Sequence, residues 1–193
     1  MPAKAAKKPR KKTARKKKSD AIQLPAAGDW RSTDEIEVLR RVQRAREEKH
    51  AISNLAPDEP IFSTFAVKSP SGMTYQVEVR DVARRAFSCT CPDFRTAGLG
   101  TCKHVEATLI WMKRRQKGPF KMAEKSDPPC PSLVPDGEHL RLEGSPKKFT
   151  PALRALFDNT GVLTTDPDEA LAKLRRSSRV RISQEVGPFL ESR

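Results

Sequence analysis

The chain has 193 residues, enough for one domain or two small ones. With 38 basic against 24 acidic residues its formal net charge is +14, which favours anionic partners. No apolar run approaches a membrane span, and no apolar signal segment follows the charged N-terminus. We therefore expect an intracellular protein with no membrane partner, in the cytoplasm or nucleoid of a bacterium or in a eukaryotic nucleus.

The first predicted unit is a disordered basic tail over residues 1–19. Ten of the basic residues and no acidic residue lie in it, so it cannot bury apolar area and its charges repel. Such a tail binds phosphate backbones, or it serves as a solubilising or targeting arm. The candidate nucleic-acid-binding residues of the tail are Lys7, Lys8, Arg10, Lys11, Lys12, Arg15, Lys16, Lys17 and Lys18.

Residues 20–56 are predicted to be a linker followed by an amphipathic helix. A capping box at 32–35 marks the start of the helix, which is expected to run to about Ile52. Its apolar stripe is thin and the rest is heavily charged. We expect its Arg and Glu side chains to pair on a solvated face rather than to lie along a phosphate backbone.

A two-residue period begins near Ile61 and predicts strands. Alternating apolar residues on both sides of the turn at Pro70 and Gly72 predict a β-hairpin. A third short strand is expected at 86–90 and a helix at 105–116. These elements form the predicted module 57–117.

The remainder divides into a linker and a weakly patterned segment. Residues 118–136 contain five prolines and little periodicity, which predicts a linker. Residues 137–193 are predicted to be a small α+β segment whose core a partner could complete. Its expected strands lie at 140–142 and 180–182 and its expected helices at 151–157 and 167–176, and a further weak signal at 186–190 is assigned to neither type.

Four potential metal ligands lie within sixteen residues: Cys89, Cys91, Cys102 and His104, in the pattern CxC, ten residues, CxH. Three thiols and one imidazole complete the tetrahedral set that Zn²⁺ takes in structural sites. Residues two apart on a strand point the same way, so CxC in extended backbone directs both thiols to one ion. We expect Cys102 in the loop before the helix and His104 in its first turn.

Catalysis is the main alternative to a structural zinc ion. Cys102 could act as a nucleophile with His104 as base, or Cys91 and Cys102 could form a redox switch. A site closed at four ligands leaves no position for water or substrate, so we expect neither.

The glycines of the insert and the remaining Cys and His residues are not predicted to bind the metal. Gly98 and Gly100 supply the positive φ angles that a reversing loop needs. Cys130 is expected to be a free thiol in the linker, and His50 and His139 are expected to be surface residues.

The arrangement CxC, insert, CxH, after a hairpin and before an amphipathic helix, resembles the SWIM zinc finger. The resemblance covers about residues 73–112 and is closest in 88–94 (SCTCPDF) and 100–107 (GTCKHVEA). It implies the same four zinc ligands and a module that binds DNA or proteins. The insert is most similar to the N-terminal SWIM regions of bacterial Swi/Snf-type helicases, but no GxxxxGK[ST] phosphate loop occurs, so no ATPase is predicted.

The sequence therefore predicts an α+β protein built on a zinc-stapled hairpin, strand and helix module. We expect it to be non-catalytic and to bind nucleic acid, mainly DNA, with help from the tail. The alternative is a protein-interaction adaptor, or the N-terminal fragment of a split Swi/Snf-type helicase, with a helicase or another protein as partner.

Overall fold

The computed structural model describes residues 32–145, 148–176 and 179–192. Over these ranges the chain is a mixed α+β fold with seven helices and two small sheets, which confirms the predicted fold class. The predicted basic tail and all its candidate nucleic-acid-binding residues lie outside the described residues. None of the helices in these ranges combines the length and the apolar content that a bilayer crossing requires.

The helices and strands have the following bounds. The helices are α1 (Asp34–Glu47), α2 (Pro92–Ala97), α3 (Lys103–Arg115), α4 (Lys117–Ala123), α5 (Pro151–Arg154), α6 (Pro167–Arg175) and α7 (Val186–Glu191). The strands are β1 (Ala51–Asn54), β2 (Thr64–Lys68), β3 (Thr74–Asp81), β4 (Ala86–Cys89), β5 (Ser132–Asp136), β6 (His139–Glu143) and β7 (Arg181–Ile182).

The first sheet has the order β1-β2-β3-β4, with every neighbouring pair antiparallel. Its predicted hairpin is present, and Phe65 of β2 lies opposite Val77 of β3. Helix α3 packs against β2, β3 and β4, and α1 packs against α3. Phe65, Val77, Val105 and Met112 are fully buried between these layers. Burying each such side chain contributes about 1.5–3 kcal/mol, so this core holds α3 on the sheet.

The second sheet has the order β6-β5-β7, in which β5 pairs antiparallel with β6 and parallel with β7. Helices α5, α6 and α7 contribute Leu153, Leu174 and Val186 to a second apolar cluster. Leu133 and Leu142 of the sheet complete it. The C-terminal segment thus has a core of its own, part of which comes from β5.

Helix α1 is shorter than predicted. It begins as expected, because Thr33 is the N-cap and its hydroxyl accepts a hydrogen bond from the Ile36 amide. It ends at Glu47, where the sequence predicted a helix to about Ile52. Ile52 instead belongs to β1, where it lies opposite Val67 and packs on the first core. Strand pairing and burial there replace the last helical turn.

Two elements occupy the range 118–136 that was predicted to be a linker. Helix α4 has Pro119 in its first turn, where no intrahelical N–H bond is lost, and Phe120 and Ala123 on its buried side. Strand β5 has Pro135 beyond the two residues that pair with β7, so this proline does not interrupt that ladder. Prolines at these positions are compatible with a helix and a strand. The number of prolines, from which the linker was predicted, does not show where they fall within an element.

A buried polar seam joins the two sheets. Arg80 of β3 donates from Nε to Glu143 over 3.0 Å and from Nη1 to Glu185 over 3.2 Å. Glu78 of the same strand accepts a hydrogen bond of 2.6 Å from the Ser183 hydroxyl. Because charged groups are buried only when they are paired, these bonds fix the C-terminal segment against β3.

Candidate metal centre

The four candidate ligands lie at the end of β4 and at the starts of α2 and α3, three places that meet in the fold. Cys89 is the last residue of β4, Cys91 is the N-cap of α2, and Cys102 is the N-cap of α3. His104 lies in the first turn of α3, and all four side chains are buried. The positions of Cys102 before the helix and of His104 in its first turn are those expected from the spacing.

The donor atoms of these residues converge on one point. All four lie within 4.8 Å of one another, and Sγ of Cys102 lies 3.9 Å from Nδ1 of His104. Donors about 2.0 to 2.3 Å from one tetrahedral ion are separated by roughly 3.5 to 3.8 Å. Cys89, Cys91, Cys102 and His104 therefore fit a single tetrahedral metal ion with little movement, and we identify them as a candidate metal site.

The insert between the ligand pairs folds as a short helix and a turn. The sequence did not predict α2, but Gly98 and Gly100 adopt φ angles of 65° and 63°, the positive values expected of them. Asp93 in α2 pairs with the Arg41 guanidinium of α1 at 2.6 Å. The Arg41 contact fixes the helical end of the insert, and the positive φ angles at its glycine end let the chain reverse and bring Cys102 back towards Cys91.

Hydrogen bonds among the three thiols shift their pKa values in different directions. Hydrogen bonds from Cys102 and Cys89 lower the pKa of Cys91, whereas the same contacts with Cys102 and Cys91 raise the pKa of Cys89. The backbone amide of Phe94 also donates to Sγ of Cys91 over 3.4 Å. These contacts favour the thiolate form of Cys91, and a divalent cation bound to all three sulfur atoms would favour the ionised forms of the other two as well.

Two rings hold the imidazole of His104. The Tyr75 ring lies 4.5 Å from it between centroids, and the His50 ring lies 5.5 Å from it at an interplanar angle of 80°. Nε2 of His104 is buried and has no hydrogen-bond partner among the described residues, and the same is true of both His50 nitrogens. Rings on two sides therefore restrict the orientation of the candidate ligand.

The prediction that His50 is a surface residue is wrong, because its side chain is only 2% exposed. The chain leaves α1 at Glu47 and enters β1 at Ala51, and this reversal carries His50 against α3. Burial lowers its pKa, which favours a neutral ring. Nothing in the spacing of the sequence signals this contact. His139 is exposed, as predicted.

Cys130 does not belong to the cluster. It is a free, half-buried cysteine, and among the described residues it belongs to no cluster of three or more His, Cys, Asp or Glu side chains that could hold a metal ion. Its free state agrees with the expectation of a free thiol.

No protein-family model, no curated protein and no solved structure matches this chain. The resemblance to the SWIM pattern stays a prediction, and the site itself carries the functional argument.

Proposed function

We propose that the chain is a non-catalytic zinc-binding module of the SWIM type. The observation that carries this proposal is the buried set of three thiols and one imidazole with all donor atoms within 4.8 Å. Thiolate and imidazole are the ligands that Zn²⁺ prefers, and four of them fill a structural coordination shell. Because no coordination position stays open for water or substrate, the ion would organise the fold rather than a reaction.

The ion would cross-link three elements that are otherwise joined only by short backbone segments. Cys89 comes from the end of β4, Cys91 from the start of α2, and Cys102 and His104 from the start of α3. Structural zinc ions contribute about 10–16 kcal/mol to the folding of small modules at neutral pH. A chelator is therefore expected to unfold the strand and helix unit, with loss of α3 helicity measured by circular dichroism.

We further propose that the module binds nucleic acid, mainly DNA, with the tail 1–19 as an electrostatic anchor. The support is chemical: ten cations and no acid in that tail, a composition that favours phosphate backbones. Phosphate contacts of this kind supply affinity without sequence choice.

A salt titration of DNA binding tests this second step. Ten tail contacts with a duplex would give a slope of log affinity against log salt of up to about −9. Deletion of 1–19 is expected to remove most of that slope. An unchanged slope after deletion would exclude the tail from binding.

An adaptor that joins a separate motor protein is the second candidate. It is favoured by the distribution of charge, because 1–19 holds +10 of the net +14 and leaves only +4 for the remaining residues. The two candidates differ in one observable. A tail-deleted chain that keeps a purified protein partner but loses DNA would favour the adaptor.

A further inference from the structure

A groove of about 440 Å³ runs between the end of α1 and the outer side of α3. Its lining contains four Lys or Arg side chains, the indole of Trp111 and four aliphatic side chains, and its floor includes the buried side chain of His50. The groove is lined by Ala45, Arg46, Glu48, Lys49, His50, Ile52, Ala107, Ile110, Trp111, Arg114 and Arg115. Helices α1 and α3 pack directly on one another, so both walls are fixed by the fold.

Four exposed cations of this groove have no anionic partner within the described ranges. Arg46 and Lys49 come from the α1 side and Arg114 and Arg115 from α3, and none of their side chains takes part in an ion pair or hydrogen bond of the described chain. The one acid of the lining, Glu48, is bound by Nζ of Lys103 at 2.7 Å. Like charges gathered in a concave site without counterions favour a bound polyanion.

The cations in the earlier turns of α1 are paired with acids, unlike those that line the groove. Arg40 and Arg41 both pair with Glu37, which confirms for this part of the helix the predicted pairing of Arg with Glu. Arg41 also reaches Asp93. The paired cations of α1 thus lie in its earlier turns, and the ones unpaired among the described residues lie in its last turn, where Arg46 lines the groove and Arg44 does not.

The groove also contains a large aromatic side chain. Trp111 is half-buried, and its ring packs edge-on against the core residue Phe65 with centroids 5.9 Å apart. An indole anchored in this way is a rigid surface on which a flat ring can stack. Stacking of nucleic-acid bases on aromatic side chains contributes about 1–3 kcal/mol per base.

The candidate metal centre lies behind the same groove. His50 contributes to the groove floor and packs on His104, a candidate ligand. Lys103, next to Cys102, holds the carboxylate of Glu48. A metal ion at the Cys and His cluster would thus also fix the position of the groove walls.

We propose that this groove binds a single strand of nucleic acid, with phosphates on the four cations and an unpaired base on Trp111. This inference rests on the proposed nucleic-acid function and gives it a location in the folded part of the chain. Asp and Glu side chains would satisfy the charges but offer no flat ring for the indole, whereas each nucleotide supplies both a phosphate and a base, so we argue for the nucleic acid.

Tryptophan fluorescence tests the proposal directly. The chain has 2 Trp residues, so Trp30→Phe in the full chain leaves Trp111 as the only one. Titration with a short oligothymidylate is expected to quench its emission in a saturable way, and the matching duplex to quench it less. Polyglutamate is the competing probe.

Charge variants in the full chain test the four cations. Replacement of Arg46, Lys49, Arg114 and Arg115 by Gln is expected to reduce the salt slope by about 3, because each single-strand phosphate contact contributes about 0.7. The pairs Arg46→Gln with Lys49→Gln, and Arg114→Gln with Arg115→Gln, each remove about half of that. These pairs keep the test valid if the fourfold variant folds poorly.

The matched control changes the net charge equally at exposed cations outside the groove. Its substitutions are Lys121→Gln, Lys125→Gln, Arg175→Gln and Arg176→Gln. It is expected to change the slope by less than about 1.

Four results would overturn the inference. Absence of any nucleic-acid binding by the full chain removes both this inference and the nucleic-acid function. Equal loss of slope in groove and control variants, or unchanged Trp111 emission at saturating oligothymidylate, removes the groove alone. Quenching by polyglutamate at the same affinity as by oligothymidylate assigns the groove to an acidic protein instead.

Discussion

Arg80 is the residue of the seam whose loss is expected to cost most. Its side chain is 10% exposed and faces three carboxylates, Glu143 at 3.0 Å, Glu185 at 3.2 Å and Glu78 at 3.5 Å. Glu78 is only 2% exposed, and its remaining partners are two serine hydroxyls. Arg80→Met keeps most of the apolar stem but leaves the Glu78 carboxylate buried without a cation.

The expected loss of stability comes from Glu78 rather than from the more exposed Glu143 and Glu185. Removal of one partner of a buried pair destabilises by about 3–5 kcal/mol. Glu143 and Glu185 are each 38% exposed, so water screens their charges and they add little. We expect a loss of about 3 kcal/mol, which for a chain of this size lowers Tm by roughly 6–12 °C.

Urea and thermal unfolding of the metal-saturated chain measure this loss. Lys173→Met is the control, because Lys173 and its partner Glu169 are 58% and 63% exposed and their pair is expected to contribute less than about 0.5 kcal/mol. Glu78→Gln added to Arg80→Met is expected to recover most of the stability, since an amide carries no charge. A loss below about 1 kcal/mol in Arg80→Met, or no recovery in the double variant, would show that Arg80 does not stabilise the fold by neutralising Glu78.

Three further predictions concern the centre, its loop and the seam. His50→Ala is expected to weaken metal affinity about 10–100-fold in competition with a chelator, because the ring that orients His104 is lost; unchanged affinity would contradict this. Gly98→Ala places a side chain at φ 65° in otherwise open space, so it is expected to cost about 1 kcal/mol in urea unfolding, whereas Gly118→Ala, also in open space but without a positive φ, serves as the control. Burial raises the pKa of Glu185, so its ionised form is disfavoured in the fold, and its destabilising effect appears as pH rises above the unfolded value and through the folded pKa. Glu185→Gln is therefore expected to be more stable than the parent chain at pH 7 and equal to it below about pH 4; a parent chain as stable as the variant at pH 7 would refute it.

The sequence predicts the centre well because local geometry determines most of it. The CxC pair requires only an extended segment, and CxH requires only a helix that begins between its two ligands. Both conditions depend on a few neighbouring residues, and the structure contains a strand end at Cys89 and a helix start at Lys103. The period of two likewise places β2 and β3 correctly.

Contacts between distant segments were not predictable from the same patterns. Glu78 and Arg80 occupy the polar face of an alternating strand, and alternation alone does not reveal whether that face meets water or a second sheet. His50 belongs to no periodic pattern, and only the reversal between α1 and β1 brings it to His104. The groove cations on α1 and α3 are likewise separated in sequence and joined by packing.

The metal content of the purified chain directly tests whether the Cys and His cluster binds zinc. Native mass spectrometry of the purified full chain is expected to find one zinc ion per chain, with none in Cys102→Ser. Cys130→Ser is the matched control, since Cys130 lies outside the cluster, and it is expected to keep one ion. A parent chain that binds no zinc when zinc is supplied, or a Cys102→Ser chain that keeps one ion, would contradict the assignment of Cys89, Cys91, Cys102 and His104 as its ligands.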